Sequence, residues 1–411
     1  MVSNNEIEFL KRLPRILLIS DVCPDQNSGG GALVLYRLLE KYPSEKLLVI
    51  TFSRLKPMSL FSKLANVLYL ELENPIPRWM FMRFNPFWPV MMAIKSRKLA
   101  STALRVIKDY NPEAILTVVQ DHLCFVGIEI AKKRNIPLHA IIHDDWSHHQ
   151  TIRHSRWTKP IGVMACDWII GRLFKRASTI SCVSSGMAEK YSTKYGVKTR
   201  VMLPCRGNDN PRMRKSMSNC IGKPVIAYAG NIFHKWIAES LNTLADVLET
   251  LGGRLDLYIS DKSLQASHQW GLKSVAIKHA GFFTPSEMVD RIAFSAGGLF
   301  LPASFHYKDK QDAETLFPSK LVDYTTIGLP ILIWGPEYSS AVKWAAANPM
   351  AAEVVTSSTK TSLLKGIKRI LDPDVGKKIA EAGMDAGNND FDHERIQSDF
   401  FKSISLIRGP K

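Results

Sequence analysis

Short apolar runs alternate with amphipathic stretches along the chain. Arg15-Ile16-Leu17-Leu18-Ile19-Ser20 is followed by Asn27-Ser28-Gly29-Gly30-Gly31 and then Ala32 to Leu39, a helical pattern. Further runs of strand length lie at Lys46 to Phe52, Ala114 to Val119, Leu138 to Ile142 and Thr179 to Val183, with helical stretches such as Gly127 to Lys133 between them. Continuous apolar runs predict strands buried on both faces, and their alternation with helices predicts a mainly parallel sheet covered on both sides. The pattern breaks at the polar stretch Arg206 to Lys223, which contains Gly207, Asn210, Pro211 and Ser216, and then restarts. Pro224 to Gly230, Leu255 to Ile259, Val275 to His279, Leu299 to Pro302 and Pro330 to Trp334 predict the strands of a second sheet, with a helix over Ala238 to Leu251. The fold class is therefore α/β: two doubly wound, Rossmann-like parallel-sheet domains, residues 1–205 and 206–390, facing a cleft. Ligands in such sheets sit at the carboxyl ends of the strands. Beyond the last sheet unit, Phe391 to Ile407 predicts an amphipathic helix.

Composition is that of an ordinary globular protein, and no apolar run reaches the roughly 20 residues that span a bilayer. The N-terminus has neither a basic start nor an apolar signal core before Arg15, so a cytoplasmic location is expected. The six cysteines form no Cys-x-x-Cys pair and no zinc spacing, which predicts reduced thiols and no metal. Charge is uneven. Residues 1–205 hold 29 Lys and Arg against 16 Asp and Glu, while residues 206–411 hold 25 against 22. A basic first half predicts an anionic partner, either nucleic acid or the cytoplasmic face of a membrane.

Five segments carry candidate chemistry. The first is Phe317 to Ile333, which reads as a turn, Ser319, a helix, Gly328 and then Pro330 leading into an apolar strand. The helix start offers N–H groups and a partial positive charge that suit a phosphate, and Asp323, one turn in, can accept hydrogen bonds from sugar hydroxyls. The plain alternative is a helix that merely stops before a buried strand. The second is Gly29-Gly30-Gly31, between a strand and a helix, where backbone N–H groups can approach a phosphate. It lacks the Gly-x-Gly-x-x-Gly spacing and the later acidic residue of a dinucleotide site, which disfavours an oxidoreductase; a flexible turn is the alternative.

The third is His143-Asp144-Asp145, at the end of the strand Leu138 to Ile142, where a ligand would sit. Adjacent positions do not make a helical two-ligand metal site, and with His148, His149 and His154 close by a purely loop-stabilising role is the rival. The fourth is Gly230-Asn231-Ile232-Phe233-His234-Lys235, where a cation could neutralise a diphosphate or simply be a solvated loop lysine. The fifth is Arg78 to Met92, dense in aromatics and methionine and followed by Lys95, Arg97 and Lys98. Arg78, Trp79, Arg83 and Trp88 there suit a bilayer interface; a buried packing segment is the alternative. Single-stranded nucleic acid also binds aromatics and cations, but no nucleic-acid motif accompanies them, and none is expected as a partner.

Pro318-Ser319-Lys320-Leu321-Val322-Asp323-Tyr324, followed by Gly328-Leu329-Pro330-Ile331, resembles the donor-binding segment of GT-B fold glycosyltransferases, in particular the family-4-like retaining enzymes (glycosyl transferases group 1). Arg176 to Met187, completed by Tyr195-Gly196 and followed by the strand Arg200 to Leu203, is similar to a second segment of that family, although Ser184 and Ser185 read there as helix caps. The resemblance implies that Gly30 and Gly31 lie near the donor diphosphate, that His143, with Asp144, contacts the donor sugar, and that Ser319, Lys320 and Lys235 stabilise the leaving diphosphate. Asn231 stands where many members carry Arg. Asp323 takes the ribose-binding position, shortened from the usual Glu. Eight positions before it stands Thr315, which is no carboxylate; Glu314 is one residue away and is the candidate for that role. The family's chemistry implies a nucleotide-diphospho-sugar as co-substrate, no other cofactor, no metal, and retention of configuration. The acceptor expected is a lipid-linked or cell-surface glycan precursor met at an anionic membrane surface, in polysaccharide biosynthesis, with the C-terminal helix at about 391–411 returning to the first domain. A sugar-nucleotide epimerase of the same fold and a catalytically silent assembly partner are the competing readings.

Overall fold

The computed structural model describes residues 4–28, 30–52, 63–72, 88–120, 123–145, 159–208, 223–232 and 234–405. The chain forms two compact units, one of residues 1–203 with 394–411 and one of residues 204–393. The first begins with helix α1 (Asn4–Arg12) and β1 (Ile16–Ile19), followed by α2 (Gly31–Leu39), β2 (Leu47–Phe52), β3 (Leu68–Leu72), α3 (Trp88–Val106) and β4 (Ala114–Val118). It continues through α4 (Leu123–Arg134), β5 (Leu138–Ile142), α5 (Lys159–Arg176), β6 (Thr179–Cys182), α6 (Ser185–Tyr195) and β7 (Arg200–Val201). The seven strands form one parallel sheet in the order β3-β2-β1-β4-β5-β6-β7. β1, β4 and β5 are buried along their whole length, as continuous Ile, Leu, Val and Ala runs covered on both faces require. Ser184 caps α6 by accepting from the Met187 N–H at 3.0 Å, and Gly196 ends it in the left-handed conformation.

The second unit holds β8 (Val225–Ala229), α7 (Lys235–Thr250), β9 (Arg254–Tyr258), α8 (Asp261–Gln269), β10 (Ile277–His279), α9 (Pro285–Ser295) and β11 (Gly298–Pro302). After them come α10 (Lys310–Thr315), α11 (Lys320–Ile327), β12 (Ile331–Trp334), α12 (Ser340–Ala347), β13 (Glu353–Val355), α13 (Lys360–Leu371) and α14 (Pro373–Asp390). Its six strands are also parallel, in the order β10-β9-β8-β11-β12-β13. The last helix, α15 (His393–Ser405), packs on the first unit: Gln397 Nε2 donates to the Arg37 carbonyl at 2.6 Å and Phe401 meets Tyr42 edge-on at 5.1 Å.

Two strands escape the sequence pattern, for different reasons. β3 is an edge strand whose Leu68 is 59% exposed, and its apolar run, Val67 to Leu70, is short and interrupted by Glu71. β13 has three residues and begins with a glutamate. Among the described residues no helix is long and apolar enough to cross a membrane. Arg78, Trp79 and Arg83, and the histidines at 148, 149 and 154, lie outside the described residues, while Trp88 opens α3.

Candidate functional site

Each sheet reverses its strand order once, at β1/β4 in the first unit and at β8/β11 in the second. Loops diverge at such switch points, leaving a crevice at the carboxyl ends of the strands. The sequence candidates with the most telling geometry occupy these places.

In the first unit, Gly30 precedes α2 with φ 63°, a left-handed value that costs glycine nothing. Gly31 opens the helix against His143, which follows β5. A Cβ at Gly31 would lie 2.7 Å from the imidazole Nδ1, closer than such contacts come, so only glycine lets this backbone and ring meet. His143 is buried, and neither ring nitrogen has a hydrogen-bond partner among the described residues. Burial lowers its pKa to about 4, so the ring is neutral at pH 7 and can donate through one nitrogen and accept through the other. A buried imidazole with both nitrogens unused costs stability unless a ligand supplies a partner. Asp144 is half-buried beside it. Asp145 is fully buried and committed elsewhere: Lys190 pairs with it and the Tyr191 hydroxyl donates to it at 3.0 Å. Of the three adjacent residues, the last is a structural anchor for α6.

In the second unit, Lys320 opens α11 and extends across Gly230, at the end of β8. Its Nζ donates to the Tyr228 hydroxyl at 2.8 Å and sits 4.5 Å from that ring's centroid. No carboxylate pairs with it among the described residues, and burial lowers its pKa to about 8. Gly230 makes room for it twice over: its φ is 120°, and a Cβ would lie 2.2 Å from Lys320 Cε. The Tyr228 hydroxyl donates to the Asn231 carbonyl at 3.2 Å, so Asn231 and Lys320 are joined through one buried tyrosine.

α11 itself is held from two sides. The Tyr324 hydroxyl accepts from the Ala229 N–H at 2.9 Å and faces the Phe300 carbonyl at 3.3 Å, tying the helix to β8 and β11. At its other end buried Arg206 donates to the Thr325 carbonyl at 3.2 Å and hydroxyl at 3.1 Å, and also bonds Asn388. A cation on the last carbonyls of a helix favours its negative end. At the start, the Leu321 and Val322 N–H groups turn back to the Pro318 and Ser319 carbonyls, at 3.0 and 3.1 Å. Among the described residues the Ser319 and Lys320 N–H groups find no acceptor and are open to a ligand, and the Ser319 side chain makes no capping bond. Asp323 follows one turn in, half-buried.

The remaining candidates sit differently. Lys235 opens α7 with its side chain 69% exposed and paired to Glu239 at 3.3 Å; His306 Nε2 meets the same carboxylate at 3.1 Å. Glu314 pairs with Lys310 at 3.8 Å inside the short α10, and Thr315 is buried, donating to the Gln311 carbonyl at 2.8 Å. Lys320 is therefore the cation at Gly230, while Lys235 is balanced by its neighbour. The sequence reading missed Tyr228, which looks like an ordinary residue of an apolar strand, and Arg206, which looks like the start of a polar linker. Tyr324 was visible in the motif but carried no assigned role. No group of His, Cys, Asp and Glu among the described residues has the arrangement of a metal site.

The glycine geometry gives a direct expectation. Gly230→Ala forces both a strained φ and a displaced Lys320 side chain, so affinity for a phosphate-bearing ligand at this helix start should fall about tenfold or more while circular dichroism stays native. Calorimetric titration checks it; unchanged affinity would show that the lysine's path across Gly230 is immaterial.

No family model matches the sequence, and no curated protein matches it. Solved structures do. HepE (Alr3699) from Anabaena, in complex with UDP and glucose, superposes with a TM-score of 0.67 at 14% identity, over 96% of this chain and 100% of that one. A UDP-forming trehalose-phosphate synthase from Burkholderia xenovorans gives 0.63 at 10% identity, over 95% and 99%. The apo form of the lipopolysaccharide outer core galactosyltransferase WaaB gives 0.59 at 15% identity, over 95% and 98%. The fold is that of the GT-B glycosyltransferases, two parallel Rossmann-like sheets with flanking helices.

Proposed function

We propose that the protein is a glycosyltransferase that moves a sugar from a nucleotide-diphospho-sugar to a lipid-linked or cell-surface glycan acceptor, in the cytoplasm at a membrane surface. One observation carries the reading: a half-buried lysine, desolvated at its ammonium and with no carboxylate partner among the described residues, lies at a helix start whose first two N–H groups find no acceptor among those residues, at the switch point of a sheet. That arrangement is suited to a phosphate. It is supported by the structural neighbours, among them HepE, which was solved with UDP and glucose and separately with UDP-glucose.

In the transfer the bond between the anomeric carbon and the diphosphate oxygen breaks, and a bond from the acceptor hydroxyl to that carbon forms. Negative charge grows on the leaving diphosphate, where Lys320 and the N–H groups of Ser319 and Lys320 would stabilise it. Asp323 would accept from the ribose hydroxyls. Neutral His143, against the Gly31 backbone, would hydrogen-bond the donor sugar, with Asp144 beside it. Retention of configuration, with the leaving diphosphate taking the acceptor's proton, belongs to the same proposal, as does chemistry without a metal or further cofactor. The ion pairs on Lys235 and Glu314 favour a second reading, a catalytically silent assembly partner, because they occupy two side chains that the enzyme would use.

Titration with UDP, GDP, ADP and CMP and their sugar conjugates decides between the two. One diphosphonucleoside should bind selectively, with the affinity lost in Asp323→Ala, and a slow release of free sugar from its conjugate should accompany binding. A folded protein that binds none of them would overturn the enzyme reading.

A further inference from the structure

Helix α5 is apolar on two faces. Cys166, Ile169, Ile170, Leu173 and Phe174 are buried, as the core requires. On the other side Ile161, Met164 and Trp168 are 40%, 68% and 54% exposed, and with Arg172 they recur every three or four residues along one stripe. The Arg172 guanidinium stacks 4.9 Å from the centre of the Trp168 ring. Exposed apolar residues scattered singly need no explanation, but a tryptophan, a methionine and an isoleucine in register do. α3 packs beside α5 and repeats the theme, with Ile94 68% exposed next to Arg97 and Lys98.

The charge around the stripe names its partner. α3 contains no acidic residue, and the one in α5, Asp167, is engaged by Lys194 at 2.7 Å and the Tyr195 hydroxyl at 2.9 Å. Glu129 of the adjacent α4 pairs with Arg97 at 3.9 Å, so among the described residues of α3 and α5 the charge beside the exposed apolar surface is predominantly cationic. A second copy docked face to face would set Arg172 against its own symmetry mate, which disfavours a dimer. Isoleucine and methionine offer nothing for a base to stack on, which disfavours nucleic acid. Indole and guanidinium over an aliphatic stripe match the interface of an anionic bilayer, where the ring lies at headgroup level and the cation meets phosphate.

We propose that the exposed face of α5, with the neighbouring end of α3, is the surface on which the protein sits on an anionic lipid bilayer. The inference rests on the proposed function only in supposing a lipid-borne acceptor that must be met there.

Cosedimentation of the full chain with vesicles tests it, using phosphatidylcholine alone and phosphatidylcholine with phosphatidylglycerol. Binding is expected to the anionic vesicles only, weakened by raised salt. It should fall about tenfold or more in Met164→Ser/Trp168→Ser, which removes the buried apolar area, and also in Arg172→Glu. UDP titration of these variants should match the parent, since none lies in the donor site. Undiminished vesicle binding by the double variant would overturn the assignment of this face. A parent that binds UDP but no vesicle would overturn the surface and leave the transferase reading standing. A dimer in light scattering that the double variant dissolves would give the stripe to a second copy instead.

Discussion

Lys320→Ala should abolish the proposed transfer and weaken binding of the nucleoside diphosphate that the titration selects by about 100-fold, the largest loss expected from any single side chain of the second unit. The lysine supplies a charge-assisted hydrogen bond to phosphate, and such bonds are worth about 1.5–3 kcal/mol in binding, more where charge grows in the transition state. Its pKa adds a signature. With the ammonium held at about 8 by burial, rising pH removes the proton that an anionic ligand needs, so affinity for that diphosphate should decline from pH 7 to pH 9. Lys320→Arg should bind with a flat profile across that range, because a guanidinium does not titrate there. Stability should move the opposite way. The unfolded lysine keeps its proton up to its ordinary pKa of 10.5, so between pH 8 and 10.5 the unfolded chain binds more protons and folding gains as pH rises. At neutral pH the desolvated ammonium is therefore a liability in the empty protein, and Lys320→Met should raise Tm by a few degrees while destroying binding of the diphosphate. A variant that lost binding and stability together would show Lys320 to be a packing residue.

Where the residues announce themselves depends on how local their task is. Ile16–Ile19 and Leu138–Ile142 were legible as strands because burial on both faces leaves a continuous apolar run. Leu68–Leu72 was not, because at the edge of the sheet it is only partly buried and Glu71 interrupts its apolar run. Gly328 as a helix stop and Ser184 as a helix cap were legible, since both act on their own turn of backbone. The company Lys320 keeps was hidden. Tyr228 lies 92 positions away in the sequence and reads as one more apolar-strand residue; only the folded sheet brings its hydroxyl under the ammonium. Arg206 was hidden in the other direction: next to glycine and asparagine it reads as a solvated linker, yet it is 2% exposed and reaches Thr325, 119 positions on. Buried polar residues are the hardest to foresee, because what permits them is a partner that the local sequence does not contain.

His143→Phe is the complementary experiment in the first unit. The ring is buried and neither nitrogen has a partner among the described residues, so an apolar ring of similar size removes two unsatisfied atoms and should leave the protein at least as stable as the parent. Activity should fall about 100-fold, since the hydrogen bond proposed to the sugar disappears. Acid behaviour separates this role from general acid–base catalysis. A histidine acting as base with an ordinary pKa would give a rate that falls below pH 6.5, whereas one held at about 4 gives a rate insensitive to its own titration from pH 7 down to 5. The sign of the stability term follows from the same shift. The folded pKa lies below the unfolded value of 6.5, so the unfolded chain takes up the proton first, and stability contributed by the neutral ring is lost as pH falls from about 6.5 towards 4. His143→Phe should therefore resist acid unfolding better than the parent across that window, as followed by Tm against pH. A parent rate profile with a limb near pH 6.5 that vanishes in His143→Gln would assign the residue a proton-transfer role and sink the neutral hydrogen-bonding one. Full activity in His143→Phe would instead remove His143 from the site, and the close fit of Gly31 against the ring would then be packing alone.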